Sequence, residues 1–232
     1  VDGIDKLDIE FPILCLFMES VWGLLEDAGY SQKSISHNTG VFVGAHSHDY
    51  ALYTANAAYN EKNSLRNVDL YQIPNRISHF FDLMGPSFAV DSACASSGTA
   101  LHLARQSLIT GECDTAIVGG VNIFLHPSRF VQLSQMNFFA RNDMIRPFDQ
   151  QASGTLFSEA VVSLLLKPLD AAIRDNDNVY ATILGSASNN DGKTWGFTVP
   201  NPEAQTQLVK QALVTADVNA TSISYVETHG TG

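Results

Sequence analysis

An α/β fold is what this sequence predicts, on three observations. Short β-branched runs closed by glycine alternate with stretches whose apolar residues recur at helical spacing. Of 232 residues 45% are hydrophobic and 16% charged, enough apolar material for a sizeable core. No low-complexity stretch, Pro/Ser-rich linker or fixed-period repeat divides the chain. Such alternation argues for helices covering a central sheet on both faces.

The elements follow in chain order. Ile13, Phe17, Val21, Leu24, Leu25 and Ala28 share helical spacing, and Gly29 is a C-terminal stop. Val41-Phe42-Val43, closed by Gly44, reads as a buried strand, and the polar stretch from Ala45 to Asp69 as an irregular connection. Pro74 suits the first turn of a helix through about Phe81. Phe88 to Val90 is a strand that leads, through Asp91-Ser92-Ala93-Cys94, into a helix with Leu101, Ala104 and Leu108 on one face and Gly111 at its end. Thr115 to Val118 is the next strand, capped by Gly119-Gly120. Strands at Ser163–Leu166, Val179–Leu184 and Ser224–Val226, with a helix from about Pro202 to Ala216, complete the pattern.

Composition narrows the function. Asp plus Glu number 24 against 13 Lys plus Arg, a net charge of -11 with no basic run, which argues against nucleic acid as a partner. Cys15, Cys94 and Cys113 are widely spaced without a CxxC pair, which suggests neither a disulfide framework nor a zinc site and fits a reducing cytoplasm. The longest apolar run, Val161 to Leu166, is broken by Ser163 and stopped by Lys167-Pro168, so nothing targets or spans a membrane. Both ends look cut, and the chain is expected to be part of something longer.

Cys94 stands where a strand gives way to a helix through small residues, Ser92-Ala93-Cys94-Ala95-Ser96-Ser97-Gly98. This composition lets the backbone turn sharply and leaves the thiol uncrowded. Amides at a helix start and the positive end of its dipole favour negative charge, and the same amides can donate to an oxyanion during acyl transfer. A buried small residue at a tight turn is the plainer reading of the same pattern. His229, in Val226-Glu227-Thr228-His229-Gly230-Thr231-Gly232, again follows a strand and precedes a glycine turn. It can serve as a proton donor or acceptor, or as a hydrogen-bonded structural histidine.

Several spaced motifs occur in one order: Gly85-Pro86-Ser87 through Asp91-Ser92-Ala93-Cys94-Ala95-Ser96-Ser97, Gly119-Gly120-Val121-Asn122, Arg146-Pro147-Phe148-Asp149, Asn190-Asp191-Gly192 and His229-Gly230-Thr231-Gly232. Together they resemble the β-ketoacyl synthase (ketosynthase) domains of modular polyketide synthases, members of the thiolase superfamily. Leu24-Leu25-Glu26-Asp27-Ala28-Gly29-Tyr30, Asn75-Arg76-Ile77-Ser78 and Phe81-Asp82-Leu83 also fit the polyketide type.

The resemblance implies a thiolase-like five-layer α-β-α-β-α fold, with only the first half (residues 1–176) and the start of the second (177–232) present. It implies a homodimer joined at Phe88 to Val90, and decarboxylative Claisen condensation in polyketide chain elongation. Cys94 would take an acyl chain from the phosphopantetheine arm of an acyl carrier protein; a malonyl group on a carrier protein would lose carbon dioxide and attack the Cys94 thioester. His229 would donate a hydrogen bond to the malonyl thioester oxygen, and Thr231 would lie against the pantetheine arm. No bound cofactor or metal is implied. The family's second catalytic histidine, in a later Asn-x-Gly-His stretch, falls beyond Gly232, so these residues alone are expected not to condense.

The sequence departs from the pattern in three places. Asp91-Ser92-Ala93-Cys94-Ala95-Ser96 stands for the usual Asp-Thr-Ala-Cys-Ser-Ser, with small side chains kept. Ser153-Gly154-Thr155-Leu156-Phe157-Ser158-Glu159-Ala160 lacks glycines the family tends to have, which puts that loop's geometry in doubt. Asp8-Ile9-Glu10-Phe11-Pro12 replaces the common Asp-Pro-Gln-Gln-Arg. Among other candidates, His46-Ser47-His48-Asp49 reads as a polar loop rather than a metal site, and Asn189-Asn190-Asp191-Gly192 as a turn. Cys15 and Cys113 read as packing residues, Asp91 and Glu227 as structural acceptors, and His79, His102 and His126 have no evident partner. Competing functions are a ketosynthase-like domain that passes on acyl chains without elongating them, a non-catalytic dimer partner, and a cysteine acyl hydrolase on an α/β scaffold.

Overall fold

Pro12 has no amide proton to lose at a helix start, and the apolar spacing that follows it winds helix α1, Pro12–Asp27, which buries Ile13, Leu14, Phe17, Met18, Val21 and Leu25. The computed structural model describes residues 11–46, 49–61 and 68–231. The replaced stretch 8–10 ahead of Phe11 lies outside them.

Strand β1, Thr39–Ala45, is buried throughout and longer than its β-branched centre. The polar connection after it is not irregular: Tyr50–Glu61 forms helix α2. Its alanines and tyrosines have adequate helix propensity but only a weak apolar stripe, so periodicity misses it. Helix α3, Gln72–Phe81, ends at Asp82 in the left-handed conformation (φ 57°). Strand β2, Ser87–Val90, leads through a 3-10 turn, Ala93–Ala95, into helix α4, Ser96–Thr110, which stops at Gly111 with φ 77°.

Strand β3, Thr115–Asn122, runs straight through Gly119 and Gly120, which therefore lie inside the strand rather than capping it. Helix α5, Ser128–Gln135, was not evident in the sequence because Leu133 is its one buried residue. Strand β4, Ala160–Leu166, precedes a short helix α6, Leu169–Arg174, and a long helix α7, Pro202–Ala216. The expected strands at 179–184 and 224–226 do not form. Neither segment has the ladder geometry of a strand, and Tyr180, Leu184, Tyr225 and Val226 are exposed. β-branched composition favours a strand only when a neighbour completes its hydrogen bonds.

The sheet order is β2-β1-β3-β4, parallel except for antiparallel β4. Alternation along β1 and β3 sorts the two faces. Val41, Val43, Ala45, Ile117 and Val121 join the core beneath α1 and α3. Phe42, Ala116 and Val118 meet Ala100 and Ala104 of α4 on the other face. Helices thus cover both faces, as predicted.

The consecutive glycines divide in the same way. A Cβ on Gly119 would sit 2.4 Å from the Phe17 ring, and one on Gly120 would sit 2.9 Å from Ser97 Cβ. The chain forms two compact units, one carrying it up to Leu166 and again from His229, the other Lys167–Thr228. Within the second, Lys167 pairs with Asp175 and Asp177 at 2.5 and 2.8 Å. Asn201 accepts hydrogen bonds from the amides of Glu203 and Ala204 to cap α7.

Candidate active site

The parallel strands β1 and β2 end side by side, with Gly44 opposite Val90, and the chain leaves β2 into the turn that carries Cys94. Two local devices hold that turn. Ser96, at the first position of α4 and almost wholly buried, accepts from the Ser92 amide at 2.9 Å and donates to the Ala93 carbonyl at 2.6 Å. Asp91 Oδ1 accepts from the Ala93 amide at 3.0 Å. Ala93 has φ 53°, a left-handed conformation that costs a residue with a Cβ about 1–2 kcal/mol, and these bonds hold it there.

Cys94 follows directly, exposed and free, at the amino-terminal end of α4. This is the sharp strand-to-helix presentation that small residues allow. The exposure excludes the buried-residue reading. The amides that follow the thiol are taken up by the turn itself, Ala95 on the Ser92 carbonyl at 3.2 Å and Ser96 on the Ala93 carbonyl, so what the site offers is an accessible thiol at the positive end of a helix.

Close packing fixes the turn against the sheet. A Cβ on Gly44 would fall 2.5 Å from the Ser97 amide nitrogen and 2.6 Å from the Ser96 carbonyl carbon. The start of α4 therefore rests on bare backbone. The other two thiols differ: Cys113 is buried and bonded to Ser107 Oγ at 3.4 Å, and Cys15 is half-buried. Burial pushes both thiols above their ordinary range. Their reading as packing residues holds for Cys113; Cys15 is only partly enclosed.

His229 is exposed and precedes Gly230, whose φ of 63° makes the turn. It belongs to the same compact unit as Cys94, yet no hydrogen bond joins the two side chains. Thr231 is also exposed, and Gly232 lies outside the described residues. Glu227 accepts from the Tyr225 hydroxyl, which pushes the phenol above its ordinary range. The acceptor role read for Glu227 and for Asp91 agrees with these bonds.

His46 has a partner the sequence could not disclose: its Nδ1 is 2.8 Å from Asp91 Oδ1. Of the neighbouring ligand candidates, Ser47 and His48 lie outside the described residues. Among the described residues no group of three His, Cys, Asp or Glu is arranged to hold a metal ion. His126, expected to be alone, bonds Ser128 Oγ at 2.8 Å and meets the Tyr53 ring edge-on at 4.8 Å. The Asn190 turn is as read, with the Gly192 amide donating to Asn190 Oδ1 at 2.8 Å.

The loop that lacks family glycines keeps a defined geometry. Gly154 supplies the one positive φ, 136°, against the Phe139 backbone. Thr155 bridges Phe139 through bonds to Phe138 and Ala140 of 2.8 and 3.0 Å. Glu159 accepts from the Phe124 amide at 2.6 Å, and Asn122 donates to the Ser158 carbonyl at 2.9 Å. Ala160 already belongs to β4 and needs no glycine. Sequence reasoning also missed an aromatic cluster here, in which Phe157 meets Phe124, Phe138 and Phe139 edge-on.

Comparison with known proteins agrees with this arrangement. Residues 10–172 match the β-ketoacyl synthase N-terminal domain and residues 180–232 its C-terminal domain. Polyketide synthase PksL of Bacillus subtilis is 40% identical over 249 residues, covering 99% of this chain and 6% of that protein. The 6-methylsalicylic acid synthase of Aspergillus niger is 40% identical over 252 residues, 100% of this chain and 14% of that protein. The oxazolomycin ketosynthase domain OzmH KS7 of Streptomyces albus JA3453 superposes with a TM-score of 0.92 at 40% identity, over 95% of this chain and 38% of that one. The ketosynthase from module 6 of the bacillaene synthase of Bacillus subtilis 168 gives 0.85 at 34% identity, over 94% and 38%. The chain thus spans a small part of those synthases and 38% of each solved ketosynthase. Its fold is the thiolase-like α/β fold of polyketide synthase ketosynthases in partial length, and the chain belongs to the β-ketoacyl synthase family.

Proposed function

We propose that the domain containing this chain catalyses decarboxylative Claisen condensation in polyketide chain elongation, with Cys94 as the acyl-carrying nucleophile. The observation that carries this reading is the exposed thiol, presented by a braced strand-to-helix turn at the start of α4, in a chain of ketosynthase family. The Cys94 thiolate attacks the carbonyl carbon of an acyl thioester and expels the phosphopantetheine thiol of the donor carrier protein. Malonyl thioester on a second carrier protein then loses carbon dioxide. The resulting enolate carbon bonds to the acyl carbon, the bond to Cys94 sulfur breaks, and a β-ketoacyl thioester stays on the carrier. His229 donates a hydrogen bond to the oxygen that gathers charge during decarboxylation, where preorganised donors are most effective. Thr231 contacts the pantetheine arm.

Residues 1–176 are assigned to the first thiolase-like half and 177–232 to the start of the second, a boundary in the gap between the two matched family domains. The domain works as a homodimer in the cytoplasm, with acyl carrier protein as its partner. The outer position of β2 in the sheet supports pairing there with a second copy. No described helix is long and apolar enough to cross a membrane.

Intact-protein mass spectrometry of the complete domain tests the reading, using an acyl thioester followed by malonyl carrier protein. The expected outcome is an acyl adduct that Cys94→Ala abolishes, then a ketide-extended product. The 232 residues alone are expected to give no extended product. An adduct that persists without extension would favour the non-elongating alternative, release of free acid a hydrolase, and no adduct would remove Cys94 as nucleophile.

A further inference from the structure

We infer that His46 is a positioning residue for the Cys94 turn, acting through Asp91; this rests on Cys94 being the nucleophile. The relay is short. His46 lies just past the end of β1, and its Nδ1 donates to Asp91 Oδ1 at 2.8 Å. That same oxygen accepts from the Ala93 amide at 3.0 Å. Ala93 is the residue at φ 53° that aims Cys94 outward.

A left-handed residue with a Cβ persists only where its surroundings over-determine it. Ser96 supplies one constraint, through the Ser92 amide and the Ala93 carbonyl, and the Asp91 carboxylate supplies the other. A carboxylate on a chain leaving a strand is oriented by the donors around it. His46 is such a donor, and it comes from the neighbouring strand rather than from the turn. The Gly44 contact holds the same strand end against the start of α4, so the donor and the turn are referred to one rigid frame.

The relay acts on the geometry of attack. Loss of the His46 donor removes one of the bonds that orient the carboxylate, loosens its hold on the Ala93 amide and widens the range of Cys94 orientations. Small misplacements of a reacting group cost rate steeply.

The test compares His46→Ala and His46→Asn in the complete ketosynthase domain. Asparagine places an amide donor near the position of Nδ1. Acylation of Cys94 by an acyl thioester is followed by intact mass, and in parallel alkylation of the Cys94 peptide by iodoacetamide, which reports the thiol even if the acyl substrate is the wrong one. Expected is a loss of roughly tenfold in acylation rate for His46→Ala, with an unchanged melting temperature, and recovery to within about threefold for His46→Asn. Wild-type acylation rates in His46→Ala, or an equal loss in both variants, would overturn the inference. An adduct that survives Cys94→Ala would instead overturn the nucleophile reading and leave the alkylation comparison to judge His46 by the same two criteria.

Discussion

Gly44 decides how near the reactive turn can come to the sheet. Its missing Cβ would meet backbone atoms of Ser96 and Ser97 at 2.5 to 2.7 Å, and backbone cannot step aside as a flexible side chain can. Gly44→Ala is therefore expected to destabilise by about 1–3 kcal/mol, the usual cost of overpacking, and to push α4 and Cys94 outward. Denaturant unfolding of the complete domain would measure the first effect, and the Cys94 acylation rate the second. Wild-type values for both would contradict the packing described. Residue-level reading of the sequence found Cys94 because a run of small residues is a local signal. It could not find the role of His46, since the bond to Asp91 joins residues far apart in sequence and only the parallel pairing of β1 with β2 brings their ends together.

At the scale of elements, helix ends show what sequence does and does not reveal. Asn201 ahead of Pro202 is a local capping signal, and the structure uses it: the side chain accepts two amides of the first turn and donates to the Asp191 carbonyl at 2.9 Å. Asn201→Ala should cost about 1 kcal/mol, seen as a lower unfolding midpoint with the slope of the transition unchanged. An unaltered midpoint would mean that the cap is energetically silent. The long apolar helices α1 and α4 and the buried strands β1 and β3 were legible because one side of each meets a core. Helices α2, α5 and α6 were not, because they are short or expose most of their surface. The segments 179–184 and 224–226 misled in the opposite direction: their residues favour strand, but a strand is a pairwise property that composition alone does not decide, and neither segment forms one.

For the whole molecule, β2 is an outer strand of the sheet among the described residues, with Phe88 partly exposed and edge-on to Phe42 at 5.0 Å. An unpaired strand edge seeks another strand. Light scattering on the complete domain should return twice the monomer mass, and Phe88→Asp should lower it; a monomer at micromolar concentration would refute the proposed homodimer. The adjacent glycines of β3 have a broader consequence. Because Gly119 receives Phe17 from one side while Gly120 receives Ser97 from the other, the domain is pinched at a single spot with a helix bearing on each surface. A saturation library at these two codons should return glycine almost alone. Trimming Phe17 should not rescue Gly119→Ala, because the added Cβ would still stand 2.4 Å from the Val162 carbonyl oxygen, so the neighbouring strand, on the far side from Cys94, enforces glycine at this codon.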